Sequence, residues 1–246
     1  MSLKKLFLTV ALLGSVVAWA QPADYTWTTE SKNSSESMPL GGGDVGLNVW
    51  IEQGELMFYI TRSGSYDEHN ALLKAGRVRL NIEGADKQAP FSQTLRLTKS
   101  EMVVKMGGAQ VLLWVDAFRP VIHVEVESPR AVQCNVLYES WRYEDRPYRK
   151  NEGDSGVIAE IVGAREGRTL AFRADMDKWR KPTDLVTTAD VISPDKHGVT
   201  FYHHNPAETL FDRTVEVEGM NAVKDELWNP LAHRIAGGRL WSEELQ

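Results

Sequence analysis

The sequence predicts an all-β protein, an antiparallel sandwich with long loops and little helix. Two observations lead there. Apolar residues recur with a period of two in one short run after another, which is the mark of a strand with one buried face. The runs are separated by short turns, and few stretches carry a long helical pattern.

Residues 44–51 and 55–60 read as early strands. In Arg77-Val78-Arg79-Leu80-Asn81-Ile82, the residues Val78, Leu80 and Ile82 share one face, and the arginines and Asn81 take the other. The pattern returns at Met102, Val104 and Met106, and again at Val111, Leu113 and Val115 after a Gly107-Gly108 turn. It returns at Ile122, Val124 and Val126, with His123, Glu125 and Glu127 opposite, so Leu113 and Val124 are expected in the core. Val132, Cys134 and Val136 share a face, which makes Cys134 a small core residue and not a nucleophile. Further strands are expected over 157–162, 169–174 and 198–203, and a helix over 207–220. The polar stretches 142–155 and 175–195 read as long loops, where a rigid sandwich tends to place function.

The N-terminus carries the three parts of a secretion signal: Lys4 and Lys5, an uncharged and largely apolar run from Leu6 to Val17, and the small-x-small site Ala18-Trp19-Ala20. The run is shorter than the roughly 20 apolar residues of a membrane span. Residues 1–20 are therefore expected to be removed, leaving a mature chain that starts at Gln21 and is exported to the periplasm or beyond. Loss of the two lysines leaves 26 basic residues against 34 acidic ones, a net charge of −8. That balance argues against a nucleic-acid binder, which needs a basic face. With one cysteine there is no internal disulfide, and stability rests on a packed core.

Several motifs resolve into turns. Gly41-Gly42-Gly43-Asp44-Val45-Gly46 has the spacing G-x-G-x-x-G, but Pro39 precedes it and a strand-like run follows, the wrong context for a dinucleotide site. It reads as a tight turn feeding a strand, where glycine tolerates positive φ. Gly153-Asp154-Ser155-Gly156 shares letters with a serine-protease nucleophile loop, yet no histidine sits in the matching setting, and a glycine-rich turn is the better reading. No group of His, Cys, Asp or Glu has metal-ligand spacing, and no cofactor is expected.

The aromatic residues give a positive lead, with eight tryptophans in the full sequence. Sugars present flat C–H faces that pack on aromatic rings, and their hydroxyls pair with carboxylates, amides and guanidinium groups. Glu139, Trp141 and Arg142 lie at a strand end, and so do His203, His204 and Asn205. These six are the leading candidates for contact with a glycan, and Asp67, Glu68 and Asn70 form a second group. The same spacing also fits a core role, with Trp141 packed inside and His203 a satisfied buried histidine.

The stretch from Asn33 to Trp50, with Trp27 before it, resembles the family called domain of unknown function 5703, found in secreted bacterial proteins. It is also similar to the N-terminal β domain of glycoside hydrolase family 95, in which a Leu-Pro-Leu-Gly-Asn-Gly stretch opens the sandwich; Gly42 stands in place of the Asn. The likeness continues at Leu73–Arg79, Trp114-Val115-Asp116-Ala117, Pro120–Glu125, Glu139-Ser140-Trp141-Arg142, Tyr202-His203-His204-Asn205 and Asn229–Gly238, where Ile235 and Ala236 replace a Phe and a Gly. The resemblance implies a β-supersandwich over 21–240, with 241–246 starting a linker to a catalytic (α/α)6 barrel in longer relatives. It implies the non-catalytic β domain of an exported glycoside hydrolase-like protein acting on a polysaccharide or oligosaccharide. A free-standing exported glycan-binding module is the alternative. Neither adjacent carboxyl pair, Asp67 with Glu68 or Glu144 with Asp145, clearly has the geometry of glycoside hydrolysis, because neighbours in a strand point to opposite faces.

Overall fold

A computed structural model describes residues 23–86, 88–147, 163–165, 168–170 and 186–244. They form a mostly β, antiparallel sandwich. The first five-stranded sheet has the order β1 (Tyr25–Trp27), β6 (Ser92–Arg96), β7 (Glu101–Met106), β8 (Ala109–Val115), β9 (Ile122–Glu127). The second has the order β10 (Cys134–Glu139), β5 (Leu72–Ile82), β4 (Glu55–Tyr66), β3 (Val45–Glu52), β2 (Met38–Gly42). A third sheet of three strands, β15 (Val191–Asp195), β16 (Gly198–His204) and β17 (Ile235–Trp241), packs beside them. The short ladders of β11 (Arg146–Pro147) with β14 (Val186–Thr187), and of β12 (Gly163–Arg165) with β13 (Arg168–Leu170), complete the strands among the described residues.

One hydrophobic cluster joins the two large sheets. Val49, Ile51, Leu56, Phe58, Val78 and Leu80 come from one sheet, and Met102, Val104, Val111 and Leu113 from the other. Alternation causes this: every second residue of each strand faces the partner sheet, and each fully buried aliphatic side chain contributes about 1.5–3 kcal/mol. Leu113 is fully buried, and Val124 and Cys134 are partly buried against the cluster. Burial also pushes the Cys134 thiol up from its ordinary pKa.

The glycine-rich motif is a hairpin. Gly41 and Gly42 end β2, Gly43 and Asp44 turn, and Gly42 pairs with Val45. Gly43 has φ +57°, and a Cβ on Gly42 would stand 2.5 Å from the Val115 carbonyl oxygen. Glycine here lets the hairpin tip touch the end of β8.

Some expectations need correction. Val132 lies outside β10 and is exposed, because the strand begins at Cys134. Residues 191–195 are not loop but β15, an edge strand, exposed at every position and containing Pro194. Such a strand lacks an apolar face to reveal it, and proline is tolerated at an edge. The helix is shorter than expected, α1 (Leu210–Val217), started by a capping box between Thr209 and Asp212. The expected strand 157–162 and the Gly153–Gly156 turn lie outside the described residues, as does most of 169–174. Among the described residues no helix is long and apolar enough to cross a membrane.

Candidate functional site

The polar residues of the β4–β5 loop, the end of β10, the segment before β15, and β16 meet in one buried chain of charges. His203 on β16 stands between two carboxylates: Nε2 is 2.7 Å from Glu68 Oε2 and Nδ1 is 2.9 Å from Asp190 Oδ1. Arg142 donates through Nε to Asp190 Oδ1 at 2.8 Å, and Ser140 Oγ donates to Asp190 Oδ2 at 2.6 Å. Glu68 Oε1 accepts from the backbone N–H and the hydroxyl of Thr188, at 2.6 and 2.8 Å. Glu68, Asp190, Arg142 and His203 all have buried side chains.

The electrostatics follow from this pairing. Burial alone would lower the imidazole pKa, but hydrogen bonds to Asp190 and Glu68 outweigh it and raise His203 from its ordinary 6.5 to about 9. Burial would raise Glu68, yet the bonds from His203 and Thr188 bring it from 4.5 down to about 2. Asp190 is likewise held below its ordinary value, since His203 and Arg142 outweigh desolvation. At neutral pH the chain therefore runs Glu68 anion, His203 cation, Asp190 anion, Arg142 cation, with no net charge. His203 donates from both ring nitrogens, which leaves it no lone pair for a base or a metal.

The remaining candidates fall around this chain. Asp67 caps its own loop, accepting from the N–H groups of His69 and Ala71 at 2.9 and 2.8 Å, and burial raises its pKa. Asn70 completes that turn with φ +60° and is exposed. Asn205 is buried; its amide donates to the carbonyls of Tyr66 and Leu231 at 3.1 and 2.9 Å, and its Oδ1 has no hydrogen-bond partner among the described residues. His204 is exposed, its ring centroid 6.0 Å from that of His233. The two strand ends thus converge through Glu68, Arg142 and His203, which face inward, while His204 and Asn70 face solvent.

Glu139 and Trp141 belong to a different surface, the outer face of the second sheet. Glu139 pairs across the ladder with Arg77, accepting from its Nε at 2.7 Å, and also takes Arg79 at 3.3 Å. Those guanidinium groups hold the Glu139 carboxyl below its ordinary pKa. Arg79 also pairs with Glu55. Beside this charged ladder runs a row of aromatic rings. Trp50, buried, lies 4.9 Å from Tyr59 between centroids, and Trp141 meets Tyr59 edge-on at 5.9 Å. Trp141 is 40% exposed, so it is not a core residue. The Lys74 ammonium stands 4.6 Å from the Tyr59 ring centroid.

The family model of the DUF5703 N-terminal domain, a domain of unknown function, matches residues 26–246. The chain belongs to the DUF5703 family. No curated protein matches it.

In this DUF5703 chain, Tyr59 and Lys74 join the surface without standing among the residues that the sequence pattern singles out. Tyr59 was legible, since it alternates with Phe58 on the same strand and so must face outward. Lys74 was not. Ile60 pairs with Gly76 but Thr61 pairs with Lys74, so Ala75 is an extra residue that bulges out of the ladder. Simple alternation from Arg77 would turn Lys74 inward; the bulge re-aims it to the outer face. Tyr138 Oη donates to the Ala75 carbonyl at 2.6 Å and fixes the bulge. Among the described residues of the DUF5703 chain, no group of three or more His, Cys, Asp or Glu side chains is placed to hold a metal ion.

Proposed function

We propose that this chain is the non-catalytic N-terminal β domain of an exported glycoside hydrolase-like protein, and that it holds a polysaccharide or oligosaccharide on the outer face of its second sheet. The observation that carries the reading is the half-open aromatic row of Tyr59 and Trp141 flanked by the ladder of Glu139, Arg77, Arg79 and Glu55. A sugar ring packs its C–H face on the indole, and its hydroxyls exchange hydrogen bonds with carboxylates and guanidinium groups.

The reading is non-catalytic because hydrolysis usually requires one carboxyl group able to give a proton and a second across the scissile bond. Glu68 and Asp190 are buried and committed to His203, and Glu139 is held ionised by two arginines. None of the three is suited to protonate a leaving group near neutral pH.

Binding of the mature chain to a glycan array tests the proposal. Trp141→Ala is expected to abolish retention with an unchanged melting temperature. Equal retention by that variant, or no retained glycan at all, overturns the glycan reading. Hydrolysis of a glycan or aryl glycoside by the purified chain, lost in Glu139→Gln or Asp67→Asn, overturns the non-catalytic part. Export is tested by N-terminal sequencing of the secreted product, with Gln21 expected first.

A further inference from the structure

We infer that the sugar bound on this face carries an anionic group, a uronate carboxylate or a sulfate ester, and that Lys74 is the residue that receives it. The inference rests on the glycan reading above and narrows its ligand class.

Three observations point the same way. The first is the state of the cations on this face. Arg77 and Arg79 are paired with Glu139 and Glu55. Lys74 has no carboxylate within ion-pair distance among the described residues, although the chain carries 34 acidic residues against 28 basic ones. The second is where the ammonium sits. It is exposed and lies over Tyr59, the ring that adjoins Trp141, so a sugar stacked on Trp141 presents its ring substituents toward it. The third is that this position is held by the fold. The Ala75 bulge aims Lys74 outward, the Arg142 guanidinium donates to the Lys74 carbonyl at 3.0 Å, and Tyr138 holds the Ala75 carbonyl.

A neutral sugar is served by the paired groups, the guanidinium groups donating to its oxygens and the carboxylates accepting from its hydroxyls. It has no charge to offer an ammonium that lacks a carboxylate partner. An anionic substituent supplies the missing acceptor and forms a charge-assisted hydrogen bond, about twice as strong as a neutral one. The aromatic row fixes the ring and the lysine reads the charge.

Calorimetric titration of the mature chain would use four probes: an oligogalacturonate, a sulfated galactan, the same galactan after desulfation, and poly-glutamate. One of the two acidic glycans is expected to bind about tenfold or more tighter than the desulfated galactan, the factor expected for one hydrogen bond to a charged group. Which of the two it is distinguishes a carboxylate from a sulfate. Lys74→Met should bring the acidic glycan down to the neutral level with no change in melting temperature, and Lys74→Arg should keep the preference. Trp141→Ala should lose acidic and neutral glycans alike. If the neutral galactan binds as tightly as both acidic probes and Lys74→Met binds as wild type, this inference fails while the glycan reading stands. If poly-glutamate binds as well as the acidic glycan, the site takes anions without reading a sugar, and the inference is again overturned. If no glycan binds, both fall together.

Discussion

Arg142 donates to the backbone carbonyl of Lys74 at 3.0 Å, so the buried chain of charges ends on the strand that presents the exposed ammonium. The inner polar cluster therefore bears on the outer face by holding the backbone of β5 at Lys74. Replacing Arg142 by Met leaves Asp190 short of its counter-charge and frees the Lys74 carbonyl. The expected cost is about 3–5 kcal/mol, the range for breaking a buried ion pair by removing one partner. Chemical denaturation measures it, and a variant as stable as wild type would rule out a structural role for the pair.

Stability should follow pH in a way set by His203 and Glu68. His203 is raised from 6.5 to about 9, so its contribution is complete below pH 6.5 and is lost as pH climbs through about 9. Glu68 is lowered from 4.5 to about 2, so its contribution is complete above pH 4.5 and is lost as pH falls through about 2. Both are in full force between pH 4.5 and 6.5. Unfolding free energies measured across pH should peak there, and His203→Gln should flatten the alkaline limb. The same alkaline slope in both proteins would remove His203 as its cause.

Leu113 is fully exposed to the opposite sheet and not at all to water. Leu113→Ala removes buried methyl groups from the centre of the sandwich and should cost about 2–5 kcal/mol. A denaturant midpoint shift with an unchanged slope is the expected result.

Gly76 sits beside the bulge with φ +143°, and a Cβ there would lie 2.4 Å from the Tyr138 ring. Gly76→Ala strains the backbone and displaces the tyrosine that holds Ala75. It should destabilise by more than about 1 kcal/mol. Thermal unfolding of the variant checks this, and Tyr138→Phe serves as a milder companion that keeps the ring and loses the hydrogen bond to Ala75.

The sequence reveals the sandwich best where burial is one-sided. Val78, Leu80 and Ile82, or Val111, Leu113 and Val115, announce their strands because one face meets the core and the other meets water. The same logic fails for β15, whose residues are all exposed, and for β1 and β6, whose runs are too short or too polar to show a period. Candidate residues were legible as polar and aromatic groups at strand ends, but their direction was not. His203 shares the parity of Phe201, and both are buried, so alternation alone gave its burial. Its two carboxylate partners lie 135 and 13 residues away, a separation no local pattern encodes.

The Ala75 bulge has one more consequence, and it concerns descent. A strand with a period of two cannot gain a residue without turning over everything on one side of the insertion, unless the added residue steps out of the ladder. Here it has stepped out: Gly76 and Val78 keep the core on one side of it, and Lys74 keeps the outer face on the other. Relatives can therefore differ by one residue between Lys74 and Gly76 while every neighbouring side chain stays on its own face. An alignment gap in the middle of this strand would then record a bulge gained or lost, with the register of the flanking residues unchanged.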